Sequence, residues 1–256
     1  MIYHFSDHWQ FTLGGRYTWE EKTIDQFNYV SSQGTLGIIS GEAFRDLRNF
    51  IQPVVLAEVP KFDDDESWTE FSPSATVTTF LPDAWTDGLL DSGMLYLTYS
   101  EGFKAGGFSD FGLTDPTIFE PETVKNYEFG FKLELWDQRL RLNGALYHME
   151  YDDIQLAVTR TFADLDTRFG ITNAGKAEID GAELEVVLMP LEGLLINLTG
   201  SYTDASYNEF TDTFVNSAGE TITTDRKDEP FSYLPEQTYS WGVQYDLDTS
   251  FALITP

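Results

Sequence analysis

The chain has 256 residues with 43 Asp or Glu and 15 Lys or Arg, so its formal net charge at pH 7 is −28. This acidity would repel a phosphate backbone, so nucleic acid is not expected as a partner. The absence of cysteine excludes disulfides and thiolate metal sites, and His4, His8 and His148 are too scattered for a metal cluster. No apolar run reaches the ~18 residues of a membrane helix, and the first ten residues do not resemble a signal peptide.

Apolar and polar residues alternate with a period of two along most of the chain, which predicts strands. In the stretch 9–20, Trp, Phe, Leu and Tyr occupy odd positions and mostly polar residues occupy even ones. We predict about eight strands, near residues 8–20, 68–81, 93–104, 122–136, 139–158, 176–189, 194–206 and 236–247.

The predicted connections between these strands are alternately short and long. Tight turns are expected at 136–139 and 190–193, and a modest connection at 82–92. The long polar connections cover 21–66, 105–121, 160–175 and 206–235, the first with some structure of its own expected around 51–59. Because short and long connections alternate, all the long loops are expected at one end of the sheet.

Strand length, connection rhythm and aromatic residues near strand ends favour an all-β, antiparallel, up-and-down transmembrane β-barrel. A soluble β-sandwich also alternates apolar and polar residues, so the alternation alone leaves that fold open. In the barrel, the apolar set faces lipid and the polar set faces the lumen. The charged members of the polar set include Arg16, Lys132, Glu134, Glu183 and Glu185.

Three groups of residues suggest chemistry but have simpler interpretations. The runs 63–66 and 152–153 could hold a hard cation through carboxylates, yet they lack the calcium-loop spacing, which favours solvated acidic segments. Glu183 and Glu185 have no accompanying nucleophile or histidine, so no enzymatic role is expected. Gly106 and Gly107 do not lead into a helix, which argues against a nucleotide loop.

Five segments, in order along the chain, together resemble one protein family. They are TLGGRYTWEEK at 12–22, YSEGFKAGGF at 99–108, FEPETVKNYEFGFK at 119–132, YHMEYDDIQLAV at 147–158 and ITNAGKAEIDGAELEV at 171–186. Each resembles a block of the C-terminal barrel region of TonB-dependent outer-membrane receptors.

This resemblance implies a barrel of about 22 strands with a separate plug in its lumen. Residues 1–256 would then form part of that barrel, about eight strands, with the plug domain and the final strands absent. Such a piece has two unpaired sheet edges, so we expect that it neither transports nor folds stably alone.

The resemblance also implies a function. It indicates active import of a scarce solute, most of all a ferric siderophore, across the outer membrane of a Gram-negative bacterium. Energy would come from the TonB complex through the plug, outer-membrane lipid would surround the strands, and neither cofactor nor catalysis is implied. The alternatives are a receptor for carbohydrate, cobalamin or another nutrient, a passive porin or adhesin barrel, or a soluble secreted β-sandwich binder.

Ligand contact is expected from the external loops. The candidates are Phe103, Lys104, Phe108, Phe111 and Tyr207, with an aromatic girdle or loop packing as the alternative role. Glu122, Tyr127, Glu128 and Gly130 are interpreted as structural. Glu128 would face the lumen, where it could pair with Lys132 or with a charge on the plug.

Overall fold

The computed structural model describes residues 1–30, 36–40, 61–86, 88–109, 117–161, 167–215, 220–248 and 253–254. Most of these residues lie in β-strands. The strands are β1 Ile2–Ser6, β2 Trp9–Val30, β3 Leu36–Ser40, β4 Lys61–Phe80, β5 Leu90–Lys104, β6 Gly107–Ser109, β7 Thr117–Phe119, β8 Glu122–Leu135, β9 Leu140–Asp152, β10 Gln155–Thr161, β11 Thr167–Asn173, β12 Gly175–Leu191, β13 Leu194–Val215, β14 Thr221–Asp225, β15 Gln237–Tyr245, β16 Leu247–Asp248 and β17 Leu253–Ile254. A single turn of 3₁₀-helix spans Asp83–Trp85. Neither this turn nor any other described segment is a helix long and apolar enough to cross a bilayer.

The eight predicted strands are confirmed as one antiparallel sheet. In order they are β2, β4, β5, β8, β9, β12, β13 and β15, and each pairs with the next along the chain. β1 pairs with β2 at one edge, and β14 pairs with the far part of β13. Among the described strands nothing joins the first edge to the last, so the sheet is an open, up-and-down part of a barrel.

The tight turns all lie at one end of the sheet, as predicted. The β8–β9 turn has Trp136, Asp137 and Gln138 at φ between 53° and 63°, and the Arg139 amide donates to the Trp136 carbonyl over 3.1 Å. The β12–β13 turn uses Gly193 at φ 81°, where glycine has no steric penalty. We call this the turn end, and the opposite one the loop end.

At the loop end the connections contain more strand than the sequence predicted. β2 and β13 run well beyond their predicted ends, and β6–β7 and β10–β11 form separate hairpins. The prediction of one strand over 139–158 is wrong in its last residues. Asp153 has a φ of 55°, and the chain beyond it leaves the sheet to pair with β11. The segment 51–59 lies outside the described residues.

One face of the sheet is apolar and exposed. Leu97 and Leu146 are each 59% exposed and Trp241 is 76% exposed. Leu97 lies opposite Phe129, and Phe129 lies opposite Leu146, so these side chains form rows across the strands. A continuous exposed apolar surface of this kind is what lipid-facing barrel strands present.

The opposite, polar face is held together by hydrogen bonds between strands. The Tyr96 hydroxyl donates to Glu128 over 2.7 Å, and the Asn143 amide donates to Glu185 over 2.9 Å. Glu128 therefore takes its hydrogen bond from Tyr96 rather than from Lys132. The Tyr96 ring lies against Gly130, where a Cβ would collide with it, and this explains the glycine at that position.

Candidate functional site

The glycine-rich segment that follows β5 is buried where the chain leaves the main sheet. Ala105, Gly106 and Gly107 are all buried. A Cβ on Gly106 would lie 2.8 Å from the Trp68 ring and would also collide with the Phe119 carbonyl oxygen. Glycine is therefore required for the chain to pass between β4 and β7 at the loop end.

Gln155, the first residue of β10, joins three segments at this point. Its side chain is 9% exposed, and its Nε2 donates to the backbone carbonyls of Ala105 over 3.0 Å and Glu120 over 3.1 Å. A longer contact of 3.4 Å reaches the Lys104 carbonyl. The Gln155 backbone N–H donates to Glu122 Oε2 over 2.7 Å. One residue thus ties β10 to the end of β5 and to the β7–β8 junction.

Asn173, the last residue of β11, reinforces the same junction. Its Nδ2 donates to the carbonyls of Glu120 and Asp153 over 2.9 and 2.8 Å, and its Oδ1 accepts the Glu120 N–H over 2.8 Å. By pairing the backbone groups of Glu120 and Asp153, these hydrogen bonds fix the irregular connections to the end of β11. We call Gln155 and Asn173 the amide clamp.

Lys22 connects β2 to the same glycine segment. Its Nζ donates to the Gly106 carbonyl over 2.7 Å and lies 3.2 Å from Glu20 Oε1. The ammonium group is also 5.7 Å from the centroid of the Trp68 ring, within the range of a cation–π contact. The charge of Lys22 is therefore balanced by groups of the protein itself.

These contacts surround a cavity of about 750 Å³ on the polar face at the loop end. We call it the loop-end cavity. Its wall comes from β2, β4 and β5, the clamp residue Gln155, and Phe119 and Ile171. The charged residues that line it are Arg16, Glu20, Lys22, Glu101 and Lys104. Its volume lies within the range of about 300–1,000 Å³ that small-molecule sites occupy.

A small apolar core lies beside the cavity, beyond the stretch of β13 that pairs with β15. Its buried members are Ile154, Val158, Ala174, Ala177, Tyr207 and Phe210. The Tyr207 ring stacks on Phe231 with centroids 4.1 Å apart, and burial, with a smaller contribution from Glu229, raises the pKa of the Tyr207 hydroxyl. Close by, Arg226 Nη2 lies 3.4 Å from Oδ2 of Asp212, whose side chain is 0% exposed.

The predicted ligand-contact residues have different surroundings. Phe103 and Lys104 line the loop-end cavity. Phe108 is half-buried in β6, Tyr207 is only 5% exposed in the apolar core, and Phe111 lies outside the described residues. The structure brings two of the five to one cavity, and contact of any of them with a ligand stays a prediction.

The acidic candidates do not form a metal site in the part of the chain that the structure describes, where no group of His, Asp and Glu side chains is arranged to hold an ion. Asp63, Asp64 and Asp65 are exposed along β4 rather than gathered in a loop. Asp152 lies 3.8 Å from Lys125 Nζ and 4.0 Å from Lys176 Nζ. The pair Glu183 and Glu185 lines a second cavity of about 400 Å³ on the polar face.

Sequence reasoning missed Arg16 as a cavity residue and missed the amide clamp. Gln155 and Asn173 both stood inside motif segments, at 147–158 and 171–186. Their meeting point depends on strand register and on the departure of β10 from the sheet. Neither follows from alternation within one strand.

Comparison with known proteins gives a family and a fold. The family model described as "TonB dependent receptor-like, beta-barrel" matches residues 2–253. Among solved structures, the ferric yersiniabactin uptake receptor FyuA from Yersinia pestis is similar at 17% identity with a TM-score of 0.63. The similarity covers 99% of this chain and 31% of that receptor.

Two further solved structures share the fold at low identity. The ferric-catecholate import receptor Fiu from E. coli K12 is 17% identical with a TM-score of 0.60, over 95% of this chain and 30% of Fiu. The copper transporter OprC is 14% identical with a TM-score of 0.56, over 95% of this chain and 31% of OprC. The chain thus spans about a third of the length of these proteins. Since the family model matches nearly its whole length, the chain belongs to the β-barrel family of TonB-dependent receptors.

Proposed function

We propose that this chain forms part of the wall of an outer-membrane receptor that imports a ferric chelate of the siderophore type. The observation that carries the proposal is a cavity of ligand size at the loop end of a TonB-dependent receptor barrel. Two of the similar structures, FyuA and Fiu, are receptors for ferric chelates. Receptors of this family are transporters and not enzymes, so the residues that line the cavity bind and orient a solute rather than convert it.

In the proposed mechanism the apolar face lies in outer-membrane lipid and the loop end faces the exterior. The ligand enters the loop-end cavity, whose rim the amide clamp holds in place. Movement of a plug on the polar face, driven by the TonB complex, then opens a path inward. Glu128 and Glu183 would lie opposite that plug.

Expression and fractionation of the protein in its own host test this proposal. Cells are grown with and without iron starvation, and the outer membrane is analysed for a protein whose electrophoretic mobility changes on heating. Accumulation only under iron starvation is the expected result. An outer-membrane protein indifferent to iron would move the cargo to copper, a carbohydrate or another nutrient, and partition into the aqueous phase would contradict the membrane placement.

A further inference from the structure

We propose that the solute crosses the membrane along one side of the polar face, on a track of hydroxyl groups that β2, β4 and β5 contribute. This inference rests on the proposed function and adds to it the part of the wall that lines the transport path. We call these residues the hydroxyl track, and its members are Thr12, Ser72, Ser74, Thr76, Thr78, Thr98 and Ser100.

The hydroxyl track is continuous across its three strands. Thr12 lies opposite Thr76 in the sheet, and Thr76 lies opposite Thr98. The hydroxyl oxygens of Thr76 and Thr98 are 3.0 Å apart, within hydrogen-bond distance. Nearer the loop end, Ser74 lies opposite Ser100 in the same way. Two strand spacings separate β2 from β5, so the track is about 10 Å wide.

The charges of the polar face are gathered on the neighbouring strands instead. They come from β8, β9 and β12 and are Glu128, Lys132, Glu134, Arg141, Glu183 and Glu185. The polar-face positions within 10–14, 72–78 and 96–102, which surround the track, carry no charged residue. Ionised groups make hydrogen bonds about twice as strong as those between neutral groups. The charged strands therefore suit a fixed contact, and the hydroxyl track suits one that must be broken repeatedly.

The track joins two cavities at opposite ends of the sheet. Ser72 and Ser74 line the loop-end cavity. Beyond Thr78 on the same face, Phe80 and the opposite residue Met94 line a further cavity of about 430 Å³ towards the turn end. The eight residue steps from position 72 to position 80 cover about 26 Å along the strand. The track thus runs through most of the depth of the membrane.

A second group of hydroxyls on the polar face does not reach the loop end. Thr199, Ser201 and Thr203 lie on β13. Nearer the loop end, the same face of β13 enters the apolar core, where Tyr207 is 5% exposed and the opposite residue Ala177 is 1% exposed. The core closes this side of the polar face from above, so its hydroxyls provide a matched control for those of the track.

Hydroxyl groups suit a solute that must keep moving. Each Ser or Thr hydroxyl can donate and accept, so polar groups of either kind on the solute find a partner at every step of the track. Passage through a pore needs contacts that favour entry but are weak and numerous enough to permit release. A row of neutral hydroxyls meets both conditions for a polar chelate, whatever its net charge.

The test separates binding from transport in host cells that produce the whole receptor. The probe is the ⁵⁵Fe chelate fraction from the spent medium of the host, and saturation binding to de-energised cells is measured beside the initial uptake rate per receptor. Thr76→Trp places a bulky ring on the track, and Thr199→Trp places the same ring on the closed side. A second comparison removes two hydroxyls with Thr76→Val and Thr98→Val, and keeps them with Thr76→Ser and Thr98→Ser.

We expect Thr76→Trp to slow uptake more than about tenfold while the binding affinity stays within about threefold, and Thr199→Trp to leave both within about threefold. The Val pair should slow uptake about fivefold, as for the loss of one hydrogen bond of ordinary strength, and the Ser pair should not. If Thr76→Trp does not reach the outer membrane, the Val and Ser pairs decide alone.

Three results would overturn the track and leave ferric import standing. They are unchanged uptake in the Val pair, equal slowing by Thr199→Trp and Thr76→Trp, and a loss of uptake that an equal loss of binding affinity explains. Neither saturable binding nor TonB-dependent uptake by the unsubstituted receptor would count against the proposed function, and the track would fall with it.

Discussion

Replacing Gln155 by alanine should loosen the loop-end hairpins while leaving the sheet intact. The Nε2 group has two hydrogens, and its two shortest contacts are to Ala105 and Glu120 at 3.0 and 3.1 Å. Each such hydrogen bond contributes about 1 kcal/mol net, and leaving the carbonyl of the buried Ala105 without a donor costs about 1 kcal/mol more. The local opening free energy should therefore fall by about 3 kcal/mol.

Native-state hydrogen exchange of the receptor in detergent measures this effect directly. Amides of β6, β7 and β11 should exchange about 150-fold faster in Gln155→Ala, and those in the middle of β8 should not change. Gln237→Ala is the matched control, because its side chain is exposed and accepts a hydrogen bond from the Tyr239 hydroxyl of its own strand, over 3.1 Å, rather than joining separate segments of the described chain. If Gln155→Ala accelerates these amides no more than Gln237→Ala does, the clamp does not hold the rim.

Three further substitutions test the fold against matched controls. Gly106→Ala should destabilise the protein by about 1–3 kcal/mol in thermal unfolding, because the new methyl group would collide with Trp68 and Phe119. Gly242→Ala, which has open space around it, should be nearly neutral in the same assay. Equal effects of the two substitutions would contradict the packing described around Gly106. Leu198→Arg on the apolar face should lower the free energy of folding into bilayers by about 2–4 kcal/mol, and Thr199→Arg on the polar face should lower it much less. A larger loss for Thr199→Arg would mean that the lipid-facing and lumen-facing sides have been assigned the wrong way round. Arg226→Met removes one partner of buried Asp212 and should cost about 1–3 kcal/mol in chemical unfolding, while Lys227→Met should cost under about 0.5 kcal/mol. Parity between the two would rule out a stabilising role for the ion pair.

The long strands could be predicted from the sequence because apolar lipid-facing residues alternate with mostly polar lumen-facing ones along them. Leu133 and Leu135 against Lys132 and Glu134 show the pattern clearly, and the β8–β9 turn followed from it. The short strands at the loop end could not be predicted in this way. β10 continues the alternation of β9, and only the backbone at Asp153, with φ 55°, turns it away from the sheet.

The cavity depends on register between distant segments, which a single sequence does not contain. The sequence predicts Lys104 as a ligand contact because it lies where an external loop of the receptor family is expected. Its companion Arg16 is 88 positions earlier in the chain, and they share a cavity only because β4 lies between β2 and β5. Tyr207 illustrates the opposite case, since an aromatic residue in a predicted loop is buried against Phe231.

Uptake of radioactive iron tests the account's central claim most directly. Iron-starved host cells with and without the gene are given ⁵⁵Fe chelates from their own spent medium, with and without a functional TonB. We predict that energy-dependent accumulation is lost when the gene is deleted, returns when the gene is restored, and is absent without TonB. Accumulation that is unchanged by the deletion of the gene would contradict the proposal that this barrel belongs to a ferric-chelate importer.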